Sequence, residues 1–362
     1  MKHLDEYRDP DLILRQVEAV HRASTRRWTL MEVCGGQTHA ILRHGLDGLL
    51  ADSVELLHGP GCPVCVTPPE VLDQAVALTR RPEVILCSFG DMLRVPGGQG
   101  DLHSARAAGG DVRVIYSPLD ALALAQEHPE REVVLLAVGF ETTAPAAAVA
   151  VLQAAALGLA NLSLLVSHSL VPQAMAALLD DPDSRIQGFL AAGHVCTVEG
   201  AEPYHALARR YHVPIVITGF EPVDLLQGVL ACVQQLERGE ARVENRYIRA
   251  ARDTGNTAAR DAVERVFRPV EREWRGMGRL PASGLGLRPE YAGFDALLRF
   301  DLAAPGPMED GPCIAGEVLR GRRRPTDCPA FGRQCTPDTP LGAPMVSSEG
   351  ACAAYLHYRE RG

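Results

Sequence analysis

Short apolar runs rich in Val, Ile and Leu recur along the chain at 28–33, 54–57, 84–89, 112–116, 133–138, 162–166, 186–191 and 214–218. Each ends in a loop containing Gly or Pro, and most are followed by apolar residues at helical spacing. A strand with one solvated face alternates polar and apolar positions, whereas one covered on both faces reads as a continuous apolar run. The pattern therefore predicts an α/β fold with parallel sheets. Eight units suit one barrel or two smaller open sheets. An internal echo favours two, because VVLLAVGFETTAP around Gly139 and VPIVITGFEPVD around Gly219 both read as a strand followed by Gly-Phe-Glu.

From 234 to about 279 the pattern turns long, charged and helical, and after Gly284 regular structure thins out. Gly, Pro and Cys dominate 305–344, a composition that buries little conventional core. A bound metal centre is one way to order such a tail. The expected organisation is two similar α/β lobes, 1–125 and 126–235, followed by a C-terminal module, 236–362. The polar start MKHLDEYRDPDL carries no secretory pattern, and the uncharged stretch 142–179 reads as a buried helix and strand, not a membrane span. The expected location is the cytoplasm.

A net charge of −9 over 362 residues argues against a nucleic-acid footprint or a polybasic membrane contact. Nearly all the positive charge is arginine, since Lys2 is the sole lysine. That excludes a phosphate-binding loop ending in Gly-Lys-Ser/Thr and a Schiff-base enzyme.

Ten cysteines in a chain of this kind are expected as thiols, metal ligands or redox groups, not structural disulfides. MEVCGGQTH places Cys34 at a strand end, with two glycines that let the backbone approach a ligand and with His39 five residues on. Cys34 is a candidate thiolate ligand or nucleophile. HGPGCPVC holds the C-x2-C pair Cys62 and Cys65 at the start of a helical pattern, where dithiol redox chemistry leads metal ligation and plain structure. Cys313, Cys328, Cys335 and Cys352 have irregular spacing, and four thiolates there suit either tetrahedral zinc or a [4Fe–4S] cluster. Cys87 and Cys232 read as core residues. His194 beside Cys196 reads as a satisfied polar residue, Asp91 and Arg94 as a structural pair or crevice wall, and 320–324 as a solvated turn.

Together, CGGQTH at 34–39, HGPGCPVC at 58–65, FGDMLRVPG at 89–97, GFETTAP at 139–145, AGHV at 192–195, TGFEP at 218–222 and the four tail cysteines make the chain resemble the HypD family of hydrogenase maturation factors, nearly end to end. The resemblance implies Rossmann-like lobes and a [4Fe–4S] cluster on Cys313, Cys328, Cys335 and Cys352. It implies a scaffold for building the Fe(CN)2CO group of [NiFe]-hydrogenase, with a small HypC-type chaperone and a HypE-type cyanide donor as partners. Cys34 would ligate the nascent iron, His39 would orient or protonate a bound ligand, and Cys62 and Cys65 would be the redox dithiol. Cys196 departs from the family, where a small hydroxyl residue is expected. The alternative is a stand-alone iron–sulfur thiol–disulfide reductase, which leaves the CGG turn without a purpose.

Overall fold

The computed structural model describes residues 5–302 and 311–359. The apolar runs form β1 (Trp28–Glu32), β2 (Val54–His58), β3 (Val84–Ser88), β4 (Val112–Val114), β5 (Glu132–Gly139), β6 (Leu162–His168), β7 (Gly188–Ala192) and β8 (Ile215–Thr218), and a short β9 (Val243–Asn245) follows. They build two parallel open sheets, in the orders β2-β1-β7-β8-β9 and β4-β3-β5-β6. Along β3, Val84 and Leu86 enter one core while Ile85 and Cys87 enter another. Leu30 and Met31 of β1 divide in the same way. Both faces are dry, which is why these strands carry no polar alternation. Cys232 also lies in the core.

The chain path departs from a division at 125 and 235. It lays down β1 and β2, leaves to build the whole second sheet from β3 to β6, and returns to the first with β7 to β9. Residues 28–58 and 188–245 thus share one sheet. Hydrophobic patterning marks a strand as buried but says nothing of which strands it pairs with.

The charged segment 234–279 is also more varied than a helix. After the helices Pro222–Glu237 and Thr257–Val266, the chain forms an antiparallel hairpin of β10 (Phe267–Trp274) and β11 (Gly278–Leu287). Phe267, Leu285 and Leu287 enter the core of the four-stranded sheet, and Trp274 stacks on Phe140 with centroids 6.0 Å apart. A register shift between Val270 and Arg272 breaks the two-residue period and hides the strand in the sequence. Beyond it, the described tail is made of short turns and the helices Ala296–Arg299, Ala315–Leu319 and Ala351–Arg359. No helix among the described residues is long and apolar enough to cross a membrane, and the uncharged stretch holds the helix Ala144–Ala156 and β6.

Candidate functional site

An open parallel sheet forms its crevice beyond the carboxyl ends of the strands, where the order of connection reverses. In the five-stranded sheet that point lies between β1 and β7. Cys34 follows β1 and His194 follows β7, and their Sγ and Nε2 atoms stand 3.4 Å apart. Cys34 is 2% exposed and precedes the helix Gly35–Arg43. Burial pushes its thiol up, against the pull of the Gln37 and Gly36 backbone N–H groups, so the sulfur stays protonated until a cation displaces the proton. Burial holds His194 down at about 4, which keeps the imidazole neutral at physiological pH. Phe220 packs edge-on against His194, and Tyr247 against Phe220.

Glu32, wholly buried at the end of β1, fixes this loop from below. Its Oε2 accepts from Cys34 N at 2.8 Å, and its Oε1 accepts from His58 Nδ1 at 2.8 Å and from Thr38 Oγ1. Gln37 Nε2 donates to Thr218 Oγ1 at 2.7 Å and to Ala191 O at 3.2 Å, tying the helix to the ends of β8 and β7.

The second thiol loop lies directly on the first. Gly35 N donates to Gly61 O at 2.9 Å, and a Cβ on Gly61 would overlap Cys34 N. Only glycine permits that approach. Cys62 then caps the single turn Pro63–Val66, its sulfur accepting from Cys65 N at 3.3 Å. Both thiols are buried, and Cys65 is raised well above the ordinary thiol range by burial and by Cys62.

The four tail cysteines line one small cavity with Ile314, Phe331 and Met345. Gly342 leaves room for Cys313, since a Cβ there would strike its sulfur, and Leu341 N donates to Cys335 Sγ at 3.3 Å. Among the described residues, no group of three or more His, Cys, Asp or Glu is arranged to hold a single metal ion. The donor chemistry of the cavity nonetheless fits an iron–sulfur cluster: four thiols, apolar walls and a backbone N–H aimed at one sulfur.

The tail closes over the other two loops. Glu349 packs against the backbone of Gly35 and bears on the thiols of Cys34 and Cys65, and Cys352 also bears on Cys65. Arg94 is not paired with Asp91; it donates to Pro337 O at 3.0 Å and Val346 O at 3.1 Å, binding the tail down. Arg322 and Arg324, from the expected solvated turn, pair with Asp181 and Glu55.

His39 is turned away from Cys34. Its Nδ1 faces Ser348 O at 3.4 Å and its Nε2 faces Tyr358 Oη at 2.9 Å, so both ring nitrogens are spent on the tail. His194 takes the place beside the thiol that the sequence reading gave to His39. Its signal was present: it follows the run 186–191 through a glycine, as Cys34 follows 28–33. Cys196 is buried beside Tyr204.

The profile of the HypD family, described as "Hydrogenase formation hypA family", matches residues 11–359. The chain is 47% identical over 369 residues to the hydrogenase maturation factor HypD of Escherichia coli (strain K12), covering 100% of this chain and 99% of that protein. It is 50% identical over 368 residues to HypD of Azotobacter vinelandii, covering 99% and 97%. It is 47% identical over 369 residues to HypD of Rhizobium leguminosarum bv. viciae, covering 99% and 96%.

Proposed function

Because the chain belongs to the HypD family of hydrogenase maturation factors, we propose that it is the scaffold and redox protein on which the Fe(CN)2CO group of [NiFe]-hydrogenase is assembled. One observation carries this reading: Cys34, the Cys62–Cys65 pair and the tail thiols come from distant parts of the chain, yet their loops lie against one another.

Cys34 receives the iron, which is cargo here. A soft thiolate suits iron that carries strong-field diatomic ligands, and the buried crevice keeps water from it. Neutral His194, 3.4 Å from the Cys34 sulfur, orients that sulfur and holds a ligand of the iron in place. Cys62 and Cys65 give up two electrons and two protons on closing to a disulfide, as reductive release of cyanide from a sulfur carrier demands. A [4Fe–4S] cluster on Cys313, Cys328, Cys335 and Cys352 supplies single electrons when bound. The partners are a HypC-type chaperone, which completes the iron site, and a HypE-type cyanide donor.

The test is anaerobic co-purification of Cys34→Ala with the small partner. We expect an intact fold and loss of iron together with its cyanide and carbonyl infrared bands. A variant that keeps its full iron and both sets of bands would sink the assignment.

A further inference from the structure

The turn between β10 and β11 reaches into the seam between the dithiol loop and the tail cavity. On one side, Arg275 N donates to Val66 O at 2.9 Å, one residue beyond Cys65. On the other, Gly276 has φ +78° and lies against Gly316, three residues beyond Cys313; a Cβ on Gly276 would sit 2.6 Å from Gly316 Cα. The hairpin, whose first strand lies in the stretch with a helical pattern, therefore joins two of the three sulfur groups.

The guanidinium of Arg275 sits at this joint. Its Nη2 donates to Pro96 O at 2.6 Å, which gives the RVPG stretch at 94–97 a task. Its Nη1 is shut off from solvent and has no hydrogen-bond partner. The acidic groups around this cation are the thiols of Cys313 and Cys65 and the carboxyls of Glu70 and Asp73. A buried cation with an N–H left unbonded is costly to keep; with Cys313 given to the cluster in the reading above, Cys65 is the neighbouring sulfur whose charge changes during function.

We infer that Arg275 is an electrostatic positioning residue that stabilises the thiolate Cys65 becomes when the Cys62–Cys65 disulfide opens. The inference rests on the redox reading of that pair given above. An incoming thiolate bonds to the Cys62 sulfur, the Cys62–Cys65 bond breaks, and the electron pair leaves on Cys65 as a thiolate. A second thiol of the same reductant then closes to its own disulfide and releases Cys62. Burial disfavours the thiolate on Cys65, so departure is slow unless a fixed cation faces it. A guanidinium does not lose its proton in proteins, and the bias therefore holds at every physiological pH.

The experiment is the rate at which dithiothreitol, a neutral dithiol, reduces oxidised Cys62–Cys65 in the full anaerobic chain, followed by alkylation and mass. Arg275→Met and Arg275→Gln remove the charge, and Arg275→Lys keeps it. We expect both neutral variants to be reduced about tenfold more slowly and the lysine variant within about threefold of the parent, with similar melting temperatures. Parent-like rates in the neutral variants, or a lysine variant as slow as they are, would overturn the role of Arg275. A parent chain that forms no Cys62–Cys65 disulfide with oxidised glutathione overturns the redox reading itself, and this inference with it.

Discussion

Cys34 and the four tail cysteines are both sulfur sites, but they are built by opposite means. Around Cys34 the constraints are polar and rooted in the five-stranded sheet. Glu32 at the end of β1 holds the loop, Gln37 ties it to β7 and β8, and the backbone of Gly61 closes it from the side. The tail cavity has apolar walls, sits on short turns, and draws on a small core of Ala330, Cys335, Met345 and Ala353. A pocket held by a sheet keeps its shape when empty. A cavity framed by turns owes more of its order to what it binds.

The comparison breaks most easily at the tail. If the proposed [4Fe–4S] cluster is held there, Cys335→Ser, or iron chelation, is expected to abolish its visible absorbance and expose 311–350 to protease, while the two sheets melt as before. A tail as resistant as that of the parent would show that the turns order themselves. Next in size is Glu32→Ala. It strips the acceptor from three buried donors, Cys34 N, Thr38 Oγ1 and His58 Nδ1, and should cost about 3–5 kcal/mol in denaturant unfolding. A loss below about 1 kcal/mol would mean that the loop is held by packing.

Glu141 sharpens the comparison from the other sheet. Burial raises its carboxyl to about 8 from an ordinary 4.5. The folded state therefore keeps a proton that the unfolded state releases, and the stability this confers is whole below pH 4.5 and lost as pH rises through 8. Between pH 5 and 8 the parent should lose up to about 1.4 kcal/mol per pH unit relative to Glu141→Gln, read from paired unfolding curves. Parallel curves would place the ionised carboxylate in the fold. The smallest effect is that of His39→Phe, which removes the contacts to Ser348 and Tyr358 and should loosen the tail by less than about 1 kcal/mol. It should leave iron at Cys34, whereas His194→Ala should weaken it; iron content of both variants after gel filtration decides between the two histidines.

The two Gly-Phe-Glu corners show how far the sequence could be read. They occupy equivalent places, Gly139 closing β5 and Gly219 following β8, one in each sheet as the echo implied. Their glutamates diverge, for Glu141 is buried with only Oε1 bonded, to Val171 N at 2.7 Å, whereas Glu221 pairs with Arg8. The motif fixes where each carboxyl leaves the sheet; its surroundings come from segments far away. The pairing of Cys34 with His194 is hidden from local pattern for the same reason. Five residues separate Cys34 from His39 along a helix that turns the ring away, while 160 residues separate it from the histidine it meets.

Burial on both strand faces, the thiol loops and the glycines that border them were determined by the sequence alone, because each depends on local periodicity or on the steric freedom of one residue. Which strands share a sheet, that a hairpin begins at Phe267 where the pattern is helical, and that Arg275 stands between the dithiol and the tail were decided by tertiary structure. Those outcomes depend on contacts between segments up to hundreds of residues apart, and the free energy of such contacts is set by the shape of the partner surface, which local pattern does not encode.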